Sequence, residues 1–222
     1  MRTRQIMVIG LGQFGLALAA ELHQRGADVL AADRSEERVR QAQAVVTQAV
    51  VLDATDEHAL LKLSPQKRDV VVCAIGDEAR DSAILVTMLL CQMGCRRVVA
   101  RATSDMLARI LKVIGAHEVV SPERSFGERY AGRLLFEHIQ EEIPLGEDLI
   151  ITEMTPPPSF VGQSLESLRL PARFRITVLG VRHAGHHGGQ VVVPDPTRLL
   201  QEGDVLVLAS SRQALRDLTR RL

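Results

Sequence analysis

Gln5-Ile6-Met7-Val8-Ile9-Gly10-Leu11-Gly12-Gln13-Phe14-Gly15 is the stretch on which the fold of this chain turns. A short apolar run leads straight into a Gly-x-Gly-x-x-Gly turn. From Phe14 to Arg25 the spacing becomes helical, with Leu16, Ala19, Ala20 and Leu22 apolar, and Gly26 supplies the stop. Alone, the glycine pattern has little specificity. Here it follows a strand and opens a helix, and Asp33 ends the second strand eighteen residues after Gly15. That context marks a turn for an adenine nucleotide or dinucleotide. Gly10 permits the tight turn, Gly12 lets a phosphate approach the backbone, and Gly15 lets the helix pack closely on the strand. Leu11, Gln13 and Phe14 complete the cradle. The helix N-terminus offers unpaired N–H groups and partial positive charge to phosphates. Asp33 suits ribose hydroxyls, which disfavours a 2′-phosphate and hence NADP; Arg34 and Ser35 follow it, and Arg34 offsets that exclusion in part. The alternative is a glycine turn kept for packing alone.

Outward from this turn, strands and helices alternate. Strands are predicted at Asp28 to Ala32, Val50 to Leu52, Val70 to Ala74, Val98 to Arg101 and Glu118 to Val120. Helices are predicted from Ser35, as cap, through Ala44, and over Glu57 to Leu63, Asp81 to Met93 and Asp105 to Ile114. Alternation of this kind gives right-handed crossovers and a parallel sheet. The expected fold class is α/β, a Rossmann-like doubly wound parallel sheet. Pro122 then opens a crossover helix expected from about Glu123 to about Ile139, and Pro144-Leu145-Gly146 breaks it. Beyond lie apolar runs at Leu149 to Met154, Ile176 to Val181, Gln190 to Val193 and Val205 to Ala209, then a helix over Arg212 to Arg220. The expected organisation is a nucleotide-binding domain over 1–121, a crossover helix and linker over 122–145, and a small α+β domain over 146–222.

Composition sets exclusions. Twenty-seven basic residues balance twenty-seven acidic ones, so there is no global basic field for nucleic acid. With 3% aromatic residues and no Trp, base-stacking platforms are not expected. The longest strongly apolar stretch, Ile84 to Cys91, is shorter than the roughly 18–20 residues of a spanning helix. The N-terminus lacks a signal-peptide pattern, so residence in the cytoplasm is expected. Cys73, Cys91 and Cys95 read as small buried apolar residues of a reducing compartment.

Further candidates sit at the carboxyl ends of strands, where ligands bind in such sheets. Asp53-Ala54-Thr55 follows the third strand and Ile75-Gly76-Asp77 the fourth. For Thr55 and Asp77, helix capping stands beside ligand contact. Arg101, followed by Ala102 and Thr103, ends the fifth strand and either meets a phosphate or is a surface cation. His183, His186 and His187 occupy a Gly-rich turn and form either a metal site or a solvated hairpin loop.

The order Gly10-Leu11-Gly12-Gln13-Phe14-Gly15, Asp33, Asp53-Ala54-Thr55, Ala74-Ile75-Gly76, Arg101 and Ser121-Pro122-Glu123 resembles an RCK domain, a regulator of potassium conductance. The whole chain resembles the cytoplasmic regulatory subunits of Trk/Ktr potassium-uptake systems. That resemblance implies ATP, ADP or NAD(H) in the N-terminal domain, and dimers assembling into octameric rings. It also implies docking on the inner face of the cell membrane, against an integral-membrane potassium transporter that nucleotide exchange gates. It implies that Glu123 lies near the phosphates and takes part in binding Mg2+ or another cation; the alternative is that Glu123 only favours the helix N-terminus. The sequence departs from the family at Gln13, where Arg is frequent, and at Pro171 within Leu168-Arg169-Leu170-Pro171-Ala172, where the cyclic di-AMP-binding members carry Arg.

Two competing classes remain. An NAD(H)-dependent oxidoreductase uses the same glycine fingerprint but needs a positioned acid or base near the nicotinamide, which the C-terminal module does not offer. A nucleotide-responsive transcription factor is disfavoured by the neutral charge and the lack of a helix-turn-helix pattern.

Overall fold

The computed structural model describes residues 2–76, 79–184 and 190–221. The chain divides into two units, Met1–Glu123 and Arg124–Leu222.

In the first unit, six parallel strands run β1 Gln5–Ile9, β2 Asp28–Asp33, β3 Gln48–Val51, β4 Val70–Cys73, β5 Val98–Arg101 and β6 Glu118–Val120. Their order across the sheet is β3-β2-β1-β4-β5-β6. The period of two in β1 explains why it lies at the centre. Met7 and Ile9 join one core cluster with Leu30, Leu60 and Leu90, whereas Ile6 and Val8 join another with Ala19, Val29 and Val39. Both faces are therefore covered, as near-continuous apolar strands require. The chain leaves β1 toward β2 on one side and returns as β4 on the other, so the strand order reverses beside Gly10. Crevices of this kind receive ligands in open α/β sheets.

The helices α1 Gln13–Gln24, α2 Glu36–Gln43, α3 Glu57–Lys62, α4 Arg80–Gln92 and α5 Asp105–Ile114 link these strands. Their boundaries follow from local chemistry. The Ser35 hydroxyl accepts from the N–H of Arg38, the Asp56 carboxylate from His58 and Ala59, and the Ser104 hydroxyl from Leu107. Gly115, at φ 109°, ends α5 in the left-handed region.

The crossover helix is shorter than its sequence suggests. Helix α6 spans Pro122–Leu135, and a strand, β7 Ile139–Pro144, follows where more helix and then a linker were expected. Ile139 and Ile143 are four apart and mimic helical spacing. Pairing with β8, Leu149–Met154, wins instead, with a register shift between Ile139 and Glu141. Ile139 is buried with Ile150 and Leu215, and Phe136 packs against them.

The second unit is a four-stranded sheet of order β7-β8-β10-β9, where β9 is Thr177–Arg182 and β10 is Val205–Ser211. Every pairing in it is antiparallel. The short helices α7 Leu165–Leu168 and α8 Leu170–Phe174 and the terminal helix α9 Arg212–Thr219 supply Leu168, Leu170, Phe174 and Leu218 to its core. The strand expected over Gln190 to Val193 is only an isolated bridge between Val181 and Val192. Its side chains do not alternate into a core, and Val193 is 88% exposed.

Glu142 of β7 is buried against α6; a Cβ at Gly132 would stand 2.7 Å from its carboxyl carbon. Burial pushes this carboxyl above its ordinary range, while Arg212 and Arg216 pull it back. A raised folded-state pKa means that the folded chain holds the proton more tightly. The resulting stabilisation is present at acid pH and is lost as pH rises through the folded value. Glu142→Gln is therefore expected to raise the melting temperature at pH 7 by about 2–4 °C. The gain should shrink as pH falls below the ordinary Glu value of about 4.3 and vanish near pH ~3, where the carboxyl is neutral in both states. Calorimetric melts at the two pH values check this, and an undiminished gain at the lower pH contradicts it.

Candidate functional site

The glycines of the first turn are each needed for a different reason. Gly10 adopts φ +93°, and a Cβ there would lie 2.9 Å from the Ile75 nitrogen. The turn therefore packs directly on the chain leaving β4. A Cβ at Gly15 would fall 1.9 Å from the Gly10 carbonyl oxygen, which fixes the close seat of α1. Gly12 has an ordinary φ of −65°, and nothing lies within 4 Å of where its Cβ would be. Its missing side chain leaves open space in front of the turn. By helix geometry the N–H groups of Gln13, Phe14 and Gly15 have no carbonyl one turn earlier. No acidic side chain occupies the first turn of α1, so its positive end is not neutralised from within.

Asp33 closes one side of the turn. Its side chain is only 5% exposed. The N–H of Leu11 donates to its Oδ2 at 2.6 Å, and the N–H of Ser35 donates to its Oδ1 at 2.8 Å. The Arg38 guanidinium lies 3.7 Å away. A carboxylate has about four acceptor positions, so capacity for hydroxyl donors remains after these two bonds. Sequence alone pointed to a ribose acceptor; the structure adds that Asp33 ties the end of β2 to the glycine turn. Ser35 caps α2 and Arg34 is exposed.

The N–H of Leu52 donates to the Asp33 carbonyl, which brings Asp53 alongside. Asp53 and Thr55 form a closed turn, with the Thr55 hydroxyl donating to Asp53 Oδ1 at 2.6 Å and its N–H at 3.0 Å. Those two bonds, with help from Arg34, hold the Asp53 carboxyl below its ordinary range. Ala54 is buried, and Asp56 rather than Thr55 caps α3.

Arg101 closes the other side. Its side chain is 15% exposed and that of Glu123 is 57% exposed, and the Arg101 Nη2 donates to the Glu123 carboxylate. The guanidinium lies over the Phe14 ring, 5.7 Å from its centroid. Its Nη1 stands 3.3 Å from where a Gly76 Cβ would be. Its Nε is buried and has no hydrogen-bond partner among the described residues. Ala102 is buried and Thr103 half-buried. Asp77 lies outside the described residues. Sequence reasoning missed the Phe14–Arg101 stack and the Arg101–Glu123 pair. The available signal for them was that all three residues follow or end strands at the carboxyl-terminal end of the sheet.

Of the three candidate histidines only His183 lies among the described residues. His183 Nδ1 lies 3.5 Å from buried Asp204. Asp204 also accepts from the N–H groups of Ala184 and Gln201 and from Arg198. Burial raises this carboxyl, but those N–H donors and the Arg198 charge outweigh it and hold it below its ordinary range. His186 and His187 lie outside the described residues. Among the described residues no group of three or more His, Cys, Asp and Glu side chains could hold a metal ion. Cys73 and Cys95 are buried free thiols and Cys91 is partly buried; burial, chiefly, pushes Cys95 up to about 11. Among the described residues no helix is long and apolar enough to cross a membrane.

Comparison with known proteins gives a consistent picture. Residues 6–122 match the TrkA-N domain family, and residues 149–222 match the TrkA-C domain family. Ktr system potassium uptake protein A of Vibrio alginolyticus is 35% identical over 214 residues, which is 96% of this chain and 94% of that one. Ktr system potassium uptake protein A of Bacillus subtilis (strain 168) is 31% identical over 216 residues, 97% and 96% of the two chains. Among solved structures, the GsuK RCK domain superposes with a TM-score of 0.67 at 19% identity, covering 99% of this chain and 47% of that one. The GsuK channel bound to NAD gives 0.65 at 18% identity, covering 97% and 38%. The chain thus spans half or less of those two solved chains, and the likeness to them is one of fold.

Gly15 and Gly12 predict different mutational outcomes. Gly15→Ala drives a Cβ into backbone and is expected to cost about 2–3 kcal/mol, as overpacking does. Gly12→Val, in open space at an ordinary φ, is expected to leave the thermal midpoint within about 2 °C of wild type, as for a substitution costing under half a kcal/mol. Thermal melts followed by circular dichroism check the pair, and equal losses at the two positions contradict the geometry.

Proposed function

Since the chain belongs to the family of potassium-uptake proteins built from a TrkA-N and a TrkA-C domain, we propose that it is a nucleotide-binding regulatory subunit of a Ktr-type potassium transporter and not an enzyme. The observation that carries the site is the open space in front of Gly12, at the strand-order reversal, with Asp33 on one side and Arg101 on the other. An adenine nucleotide or dinucleotide fits it. The turn's N–H groups take phosphate, Asp33 takes the ribose hydroxyls through its spare acceptor positions, and Asp53 with Ala54 borders the adenine. The Arg101 guanidinium offers N–H donors to a phosphate oxygen, and its buried Nε has no partner among the described residues. Ile75, Gly76, Ala102 and Thr103 shape the floor beside it. The fold neighbour bound to NAD supports this class of ligand. ATP, ADP and NAD(H) all remain within it, because neutral Gln13 gives no charge with which to select a terminal phosphate.

Oligomerisation is supported by two exposed apolar faces. On α6, Phe126, Tyr130, Leu134 and Leu135 are exposed, with the first two rings stacked at 5.4 Å. On α5, Met106 and Val113 are exposed. A chain with two such faces can meet two neighbours, as a homodimer assembling into an octameric ring requires. We place this ring in the cytoplasm, on the inner face of the membrane through an integral-membrane potassium transporter. Ligands that bind two ring shapes with different affinity would bias the transporter between states.

Asp33→Asn tests the site. It removes the charge from the proposed ribose contact and is expected to weaken ADP or NAD binding about 10- to 100-fold. It should also lower the thermal midpoint, because the Leu11 and Ser35 N–H groups lose a charged acceptor. Calorimetric titration with ATP, ADP, NAD+ and NADH measures the first effect, and unchanged affinity overturns the assignment. Steady turnover of NADH with hydroxy acids or aldehydes would overturn the regulatory role in favour of an oxidoreductase.

A further inference from the structure

Arg101 and Glu123 form an unequal pair. The Arg101 side chain is 15% exposed and that of Glu123 57%. Arg101 is held from three directions, by the Phe14 ring, by the approach to Gly76 and by the end of β5. Glu123 stands in the first turn of α6 and can return to water at small cost. The guanidinium has five N–H donors in a fixed fork. One serves Glu123, and the buried Nε serves nothing among the described residues. An unpaired buried donor is costly, so the site holds an unmet demand for oxygen acceptors. A single carboxylate meets it only in part, whereas a phosphate brings more charge and can take two N–H groups side by side.

We propose that Arg101 exchanges partners: it pairs with Glu123 when no phosphate is present and turns to a nucleotide phosphate when one arrives, releasing Glu123 at the start of α6. This rests on the nucleotide site proposed above and adds its regulation. Arg101 touches Phe14, which belongs to the glycine turn, so its fork already faces the place where phosphate is expected. Glu123 is the last residue of the first unit, and α6 continues from it into the second. A change of partner at Glu123 therefore acts on the N-terminal turn of the helix that passes from the first unit into the second. In this arrangement Glu123 competes with phosphate for Arg101. That is opposite in sign to a carboxylate that recruits phosphate by binding a cation.

Titration calorimetry of the full chain with ADP and with adenosine, in EDTA and then in Mg2+, separates these roles. Glu123→Gln removes the competing charge at an exposed position. It is expected to tighten ADP binding roughly 2- to 5-fold in EDTA, the equivalent of a partly exposed ion pair, and to leave adenosine binding unchanged. Arg101→Lys, which keeps the charge but loses the fork, should weaken ADP binding and erase the gain when combined with Glu123→Gln. ADP binding that is unchanged or weaker in Glu123→Gln overturns the exchange. So does a loss seen only with Mg2+, which would assign Glu123 to a cation. A wild-type chain that binds adenosine but shows no added affinity for ADP refutes the exchange and leaves the nucleoside pocket standing. A chain that binds neither refutes the nucleotide site itself.

Discussion

The hydrogen bond from the Leu11 N–H to the Asp33 carboxylate, 2.6 Å long and buried, is the constraint on which the site depends. It joins the turn after β1 to the end of β2. Beside it, the Gly10 N–H donates to the Ala32 carbonyl at 2.8 Å. With Gly15 fixing α1 against Gly10, the helix N-terminus cannot drift from the carboxylate. The electrostatics follow from that rigidity. A negative group and a positive helix end sit side by side, each with unused hydrogen-bonding capacity, and the space between them stays open because residue 12 has no side chain. Preorganised donors and acceptors of this kind bind without the cost of ordering them first.

The opposite wall is less rigid in its charges. Arg101 is fixed by Phe14 and by its strand, but its acidic partner is exposed at the head of a helix. In the proposed site one wall would define the ligand and the other register it. That division suits a sensor, whose ligand must change the balance between two conformations as well as bind.

Much of this was legible in the amino-acid sequence, for physical reasons. The central strands are continuously apolar because both of their faces are covered, and the cap Ser35 announces its helix by side-chain chemistry. The glycine turn is legible because each glycine answers a steric demand that no other residue meets. The second unit was harder. Ile139 and Ile143 carry a spacing that helix and bulged strand share, and only pairing with β8 decides between them. The run Gln190 to Val193 looks like a strand but has a partner at one position alone. At the site, Asp33 was legible as an acceptor but not as a brace. The stack of Arg101 on Phe14 joins residues 87 apart, and only the folded sheet brings them together.

The central claim is that nucleotide occupies the space between Asp33 and Arg101 in front of Gly12. Amide chemical-shift mapping of the isotope-labelled chain during titration with ADP tests it most directly. The largest changes are predicted at Gly12, Gln13, Phe14 and Ser35, with Arg101 and Glu123 following. Changes confined to residues 139–221, or none at saturating ADP, would contradict it.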